Sequence, residues 1–112
     1  MDCIFCKIIG GDIPAKEIYR DNDVIAIEDV NPQAPVHLLV MPVRHVANVG
    51  ELSPATDAAL MGKLIATAAR LGREKGENGY RLVMNTGPDG GQTVDHTHVH
   101  VLAGRHLTWP PG

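Results

Sequence analysis

The sequence predicts an α+β fold: an antiparallel five-stranded sheet carrying one short and one long helix. Strand-like segments dominate the chain, and a single long helix announces both of its ends. That helix divides the strands into an N-terminal three and a C-terminal two.

The elements follow in order. "CIFCKII" at 3–9 reads as a short helix, with Ile4 and Ile8 on one face and Phe5 and Ile9 beside them, stopped by Gly10-Gly11. "EIYRD" and "VIAIED" are two strands joined at the turn-prone Asp21-Asn22-Asp23, hence a hairpin. "NPQAP" at 31–35 fixes a loop with two prolines, and "HLLVMPV" at 37–43 is an apolar strand of the kind buried on both faces. Ser53 is placed to cap the long helix and Pro54 suits its first turn. Met61, Leu64, Ile65, Ala68 and Leu71 recur at helical spacing until Gly76. "YRLVMN" at 80–85 and "HTHVHVLA" at 96–103 are the last two strands, separated by the glycine-rich "TGPDGGQTV".

Composition narrows the function. The 112 residues are 44% hydrophobic, without linker, repeat or low-complexity tract, and predict one domain over 1–112. A net charge of −3 offers no electrostatic footprint for nucleic acid or an anionic membrane. No stretch reads as a signal peptide, and none approaches the roughly 20 apolar residues that span a bilayer. A cytoplasmic protein is expected, in which Cys3 and Cys6 stay reduced unless a metal holds them.

Three of the six histidines stand at alternate positions, His96, His98 and His100. On a strand they share one face, while Thr97, Val99 and Val101 point into the core. Same-face neighbours lie about 6.6 to 7 Å apart, so the outer two are about 13 Å apart and one zinc ion reaches two successive members but hardly all three. Solvent-facing polar positions on a half-exposed strand are the plain alternative. Against it stands the preceding loop, where Gly87, Gly90 and Gly91 let backbone amides approach an anion and Gln92 and Thr93 add side-chain donors. "GPDGG" is also an ordinary turn and lacks the lysine and hydroxyl of a P-loop. Imidazoles beside a phosphate cradle point to phosphorus chemistry, with histidine as nucleophile, proton donor or orienting group.

"GGQTVDHTHVHVLAGRHLTWPPG" resembles the signature of the histidine triad family, and its "TWPPG" ending resembles the branch of histidine triad nucleotide-binding proteins. "CIFCKIIGGDIPAKEIYRD", "NPQAPVHLLVMPVRH" and "YRLVMNTGPDGGQ" follow in the order that the family shows. The resemblance implies the HIT-like fold and a homodimer whose two sheets join into one. It also implies a purine nucleoside monophosphate site at the last strand, hydrolysis of adenosine 5'-monophosphoramidates to AMP and an amine, and for some members action on aminoacyl adenylates. By position, His98 is then the nucleophile that forms a covalent nucleotidyl-histidine. His100 binds the phosphate, with backbone at Gly91 and Thr93 and the side chain of Asn85 assisting.

His37 matches the family's additional active-site histidine, and its expected part is to orient the nucleophile's second nitrogen. An imidazole near its ordinary pKa of about 6.5 is a competent nucleophile at neutral pH, and the scheme needs no catalytic cofactor, since a nucleoside monophosphate ester carries less charge than a triphosphate. Asp29 matches the acidic residue that accepts ribose hydroxyls, and Ile4, Phe5, Ile27 and Val30 the apolar slot for the base. Ile27 stands where relatives often carry an aromatic residue, and Thr93 where they carry serine. Trp109, in the proline-rich tail, matches a segment that reaches the partner's site; a structural plug at the dimer interface is the alternative.

Cys3-x-x-Cys6 has the spacing that zinc takes from two thiolates, but supplies half a tetrahedral site. His45 and His96 match positions that complete a closed Cys₂His₂ structural zinc site in some members, leaving His98 free. Three function classes follow: a nucleoside phosphoramidase working through His98, a nucleotide-binding scaffold with incidental hydrolysis, and a hydrolase with catalytic zinc on His96 and His98.

Overall fold

Residues 24–28 and 36–42 are apolar at nearly every position, a pattern that suits strands covered on both sides. The computed structural model, which describes residues 3–112, bears this out. Strands β1 (Glu17–Arg20), β2 (Val24–Glu28), β3 (Val36–Pro42), β4 (Tyr80–Val83) and β5 (Val99–Ala103) form one antiparallel sheet in the order β1-β2-β3-β5-β4. Helix α2 (Ala58–Lys75) covers one face, and Leu64, Ala68 and Leu71 pack there on Val24, Ala26, Leu38, Val40, Val99 and Val101. On the other face helix α1 (Ile4–Ile9) sets Phe5 against Ile25, Ile27, Leu39 and Met41. Each valine, leucine, isoleucine, methionine or phenylalanine among them, fully buried, contributes about 1.5 to 3 kcal/mol.

The hairpin turn forms where Asp21 predicts it. Its Oδ1 accepts from the amides of Asp23 (2.8 Å) and Val24 (2.9 Å), and Tyr19 donates its hydroxyl to Oδ2 at 2.6 Å. The Tyr19 hydrogen bond, then the Asp23 amide, holds this carboxyl well below the usual carboxylate range.

Several boundaries differ from the sequence expectation. Ser53 does not cap α2, because Asp57 intervenes: its carboxylate accepts from the Ser53 amide at 2.8 Å, closing a turn through Pro54 before the helix begins at Ala58. Ile65 falls one residue off the buried 64-68-71 row and is 42% exposed, while Thr67 is buried in its stead. Two short elements carried no readable signal, a 3-10 turn at Val49–Glu51 and a one-turn helix α3 (Gly87–Gly90) within the glycine-rich loop.

The largest departure is at the last strand. Pairing with β3 ends at Val40 and Val99, so residues 96–98 lie outside the sheet. They dock elsewhere: both the amide and the Oγ1 of Thr97 donate to the Val46 carbonyl, at 2.7 and 2.9 Å. Likewise β4 ends at Val83 rather than Asn85. Among the described residues no helix is long and apolar enough to cross a membrane.

Candidate catalytic site

Strand alternation puts His37 on the same face as Leu39 and Met41, and the register sets His100 opposite Leu39. Both imidazoles therefore lie on the α1 side of the sheet. Here the chain brings together His37, His96, His98 and His100 with Asp29 and Phe5.

Hydrogen bonds to the backbone fix which ring nitrogen carries the proton. Nδ1 of His98 lies 2.6 Å from the His96 carbonyl, which can only accept. Nδ1 is thus the protonated nitrogen, and in the neutral ring Nε2 keeps its lone pair. The ring of His98 stands edge-on to Phe5, with centroids 5.1 Å apart, and 5.0 Å from that of His100. Support for His98 was expected from His37. The His96 carbonyl supplies it instead, because His37 is turned to His100.

A second chain of bonds sets His100. The Gln33 amide donates to Nδ1 of His37 at 3.0 Å, which places the His37 proton on Nε2. That nitrogen lies 2.9 Å from Nδ1 of His100 and 3.3 Å from Oδ2 of Asp29. His100 therefore accepts at Nδ1 and holds its own proton at Nε2, as a donor. Burial, then the neighbouring His98 and His37, pushes the pKa of His100 down to about 4. Burial also lowers that of His37, against the pull of the Asp29 carboxylate. Both rings are neutral at pH 7, so His100 offers a donor without a fixed charge. Asp29, His37 and His100 lie close enough to suggest a metal, but an Nε2 that carries a proton is no ligand.

The other expected contacts are distributed unevenly. Asp29 accepts from the Asn31 amide at Oδ1 (2.9 Å), and its Oδ2 lies 3.3 Å from Nε2 of His37, whose one proton is directed to the nearer Nδ1 of His100. Phe5 and Ile27 are buried in one apolar cluster, whereas Ile4 and Val30 are 46% and 96% exposed, outside it. Asn85 is half-buried and Thr93 exposed. The Gly91 amide is taken by the Pro88 carbonyl at 3.1 Å, and the side chain of Gln92 is bonded to backbone, so neither is a free phosphate donor here. Trp109 is 80% exposed in a tail that Arg81 holds through the carbonyls of Leu107 (3.2 Å) and Thr108 (3.0 Å).

Beside this cluster lies a second one. Nδ1 of His96 is 3.4 Å from Sγ of Cys3, 3.6 Å from Sγ of Cys6 and 3.2 Å from Nδ1 of His45, and His45 is 3.3 Å from Cys6. Tetrahedral zinc with Zn–N near 2.0 to 2.1 Å and Zn–S near 2.3 Å places its ligand atoms about 3.3 to 3.8 Å apart, so the spacing fits. His96 is also in the right tautomer: its Nε2 faces the Pro42 carbonyl at 2.8 Å and donates there, turning the Nδ1 lone pair to the thiols. The carbonyls of Pro42 and His96 and the amide of Gln33 fix three tautomers, and backbone groups leave no trace in residue type.

The fold and the row of oriented imidazoles define a small α+β protein with a cluster of buried histidines on one face of its sheet. A model of the HIT domain matches residues 10–107. An uncharacterised HIT-like protein of Synechococcus elongatus is 51% identical over 112 residues, spanning 99% of this chain and 97% of the relative. Protein pkiA of Dictyostelium discoideum is 47% identical over 117 residues, spanning 99% and 90%. Among solved structures, a HIT family hydrolase from Legionella pneumophila superposes with a TM-score of 0.94 at 43% identity, covering 99% of this chain and 100% of the other. One from Clostridium thermocellum gives 0.89 at 41% identity, covering 96% and 94%. The chain belongs to the HIT domain family.

Proposed function

We propose that this protein is a nucleoside phosphoramidase, which cleaves the P–N bond of purine nucleoside 5'-monophosphoramidates through a covalent intermediate on His98. The observation that carries the reading is the bond from Nδ1 of His98 to the His96 carbonyl, which leaves the Nε2 lone pair free to attack. That its structural relatives include proteins described as HIT family hydrolases supports a hydrolytic role.

In this scheme Nε2 of His98 attacks the α-phosphorus, the P–N bond breaks, and the amine leaves with its electron pair neutralised by a proton that the substrate's own basic nitrogen has taken up from solvent. His100 donates Nε2–H to a phosphoryl oxygen as charge develops, the proton kept in place by His37. Water then cleaves the phosphorus–histidine bond and releases AMP. Asn85 and Thr93 are the proposed further phosphate contacts. Asp29 would receive the ribose, Ile27 and Phe5 form the floor and Ile4 and Val30 the rim of a base slot, and aminoacyl adenylates are a second substrate class.

Zinc on Cys3, Cys6, His45 and His96 would tie α1, the segment after β3 and the histidine row together. Four ligands leave no position for an activated water, which favours a structural metal over a catalytic one. The remaining parts of the reading are a single HIT domain over 1–112, a cytoplasmic location, and a homodimer in which edge strand β4 pairs with its copy and Trp109 reaches the partner's site.

The experiment is hydrolysis of an adenosine 5'-phosphoramidate by the purified protein, following AMP and amine. Stoichiometric release of both is expected. AMP binding without release would favour the nucleotide-binding scaffold.

A further inference from the structure

The side chain of Gln92 is spent on the backbone of three separate segments. Its Nε2 donates to the carbonyls of Ala47 (2.7 Å) and Val94 (3.0 Å), and its Oε1 accepts from the Gly87 amide (3.1 Å). A primary amide has two hydrogens to give, and both are used. The main chain of the same residue adds a bond, from its amide to the Gly87 carbonyl at 3.1 Å, so Gly87 is gripped at both its N–H and its C=O.

This loop needs such a grip. Gly87 (φ +72) and Gly91 (φ +83) sit in the left-handed region at either end of α3. A single helical turn flanked by such glycines has little to hold it in place by itself. Gln92 fastens it to Ala47, and the preceding carbonyl, Val46, takes both donors of Thr97, the residue between His96 and His98. Residues 46–47, directly after His45, are thus the common anchor of the glycine-rich loop and of the histidine row.

We infer that Gln92 is a positioning residue: it fixes residues 87–93 against the anchor that also holds Thr97, and does not itself touch the phosphate. This rests on the nucleotide reading of the site given above. A phosphate ligand would have to keep an N–H free toward the histidines, and Gln92 has none to spare. The loop's register, and with it the presentation of Thr93, depends on this one side chain.

Two variants separate the possibilities. Gln92→Ala removes all three side-chain bonds, while Gln92→Glu keeps the acceptor for Gly87 and loses both donors. In the free protein, amide hydrogen exchange by NMR should show the Gly91 amide exchanging at least about tenfold faster in both variants, and the Gly87 amide faster in Gln92→Ala alone. By calorimetry, AMP binding should weaken about tenfold in both, with adenosine binding unchanged within about twofold. Unchanged exchange in the free variants together with weakened AMP binding would make Gln92 a phosphate ligand and overturn the inference. Unchanged exchange and unchanged binding would overturn it as well. Should Gln92→Ala fail to fold, Gln92→Glu decides through the Gly91 amide, because its added carboxylate repels AMP in either case. Should the wild type bind no AMP, the nucleotide reading falls, and the exchange measurement still decides whether Gln92 holds the loop.

Discussion

The carbonyl oxygen of His96 lies 2.6 Å from Nδ1 of His98, and the ring of that same His96 faces Cys3, Cys6 and His45. One residue thus orients the proposed nucleophile with its backbone and joins a metal-type cluster with its side chain. The ring of Phe5 also packs edge-on against both imidazoles, with centroids 6.0 Å from His96 and 5.1 Å from His98.

The cluster is expected to bind one zinc per chain, measurable by elemental analysis. Cys6→Ser should lower the melting temperature by about 5 to 10 °C, because metal binding free energy adds to folding. Turnover by the protein that remains folded should fall less than about tenfold, since the metal acts only through the placement of His96. Complete loss of turnover in folded, metal-free protein of unchanged stability would assign the chemistry to the metal instead.

His37→Ala removes the donor that fills Nδ1 of His100, and His100 can then hold its proton on either nitrogen. Turnover should drop about 10- to 100-fold with AMP affinity nearly kept. Equal turnover in the variant would show that His100 needs no such partner.

Stability should depend on pH through His100. Its pKa is pushed down to about 4 in the fold against the ordinary 6.5, so between these values the unfolded chain binds more protons. Stability contributed by the neutral ring is present above about pH 6.5 and is lost as pH falls toward about 4. His100→Gln should flatten this part of the melting-temperature profile. A variant profile as steep as the wild type's would place the sensitivity elsewhere.

Helix α2 offers a contrast between two glycines. A Cβ at Gly72 would lie 2.5 to 2.9 Å from the Tyr80 ring, so Gly72→Ala should cost about 1 to 3 kcal/mol in denaturant titration. Nothing lies within 4 Å of a Cβ at Gly62, and Gly62→Ala should stabilise by about 0.5 to 1 kcal/mol. Equal effects would contradict the packing of α2 on β4.

What the sequence made legible and what it hid have physical reasons. Residues 24–29 read as half of a hairpin and 37–43 as a strand apolar on both faces; the strands stand at Val24–Glu28 and Val36–Pro42, and both faces are covered. The alternation of His96, His98 and His100 looked like a strand, but Thr97 gives its donors to Val46, and tertiary docking overrides the pattern. Cys3, Cys6, His45 and His96, far apart in the chain, were legible as a set only through the family resemblance, and the fold brings them together. Gln92 was read as a donor to an anion because its type permits that. Only coordinates reveal that its donors are already taken.

The central claim is that Nε2 of His98 bonds to phosphorus. The direct measurement is intact-mass spectrometry of protein quenched early in its reaction with an adenosine phosphoramidate, with peptide mapping and His98→Ala alongside. The account predicts an AMP adduct on His98 that forms and decays with AMP release and is absent from the variant. AMP release with no adduct at any quench time, or an adduct that persists in His98→Ala, would contradict it.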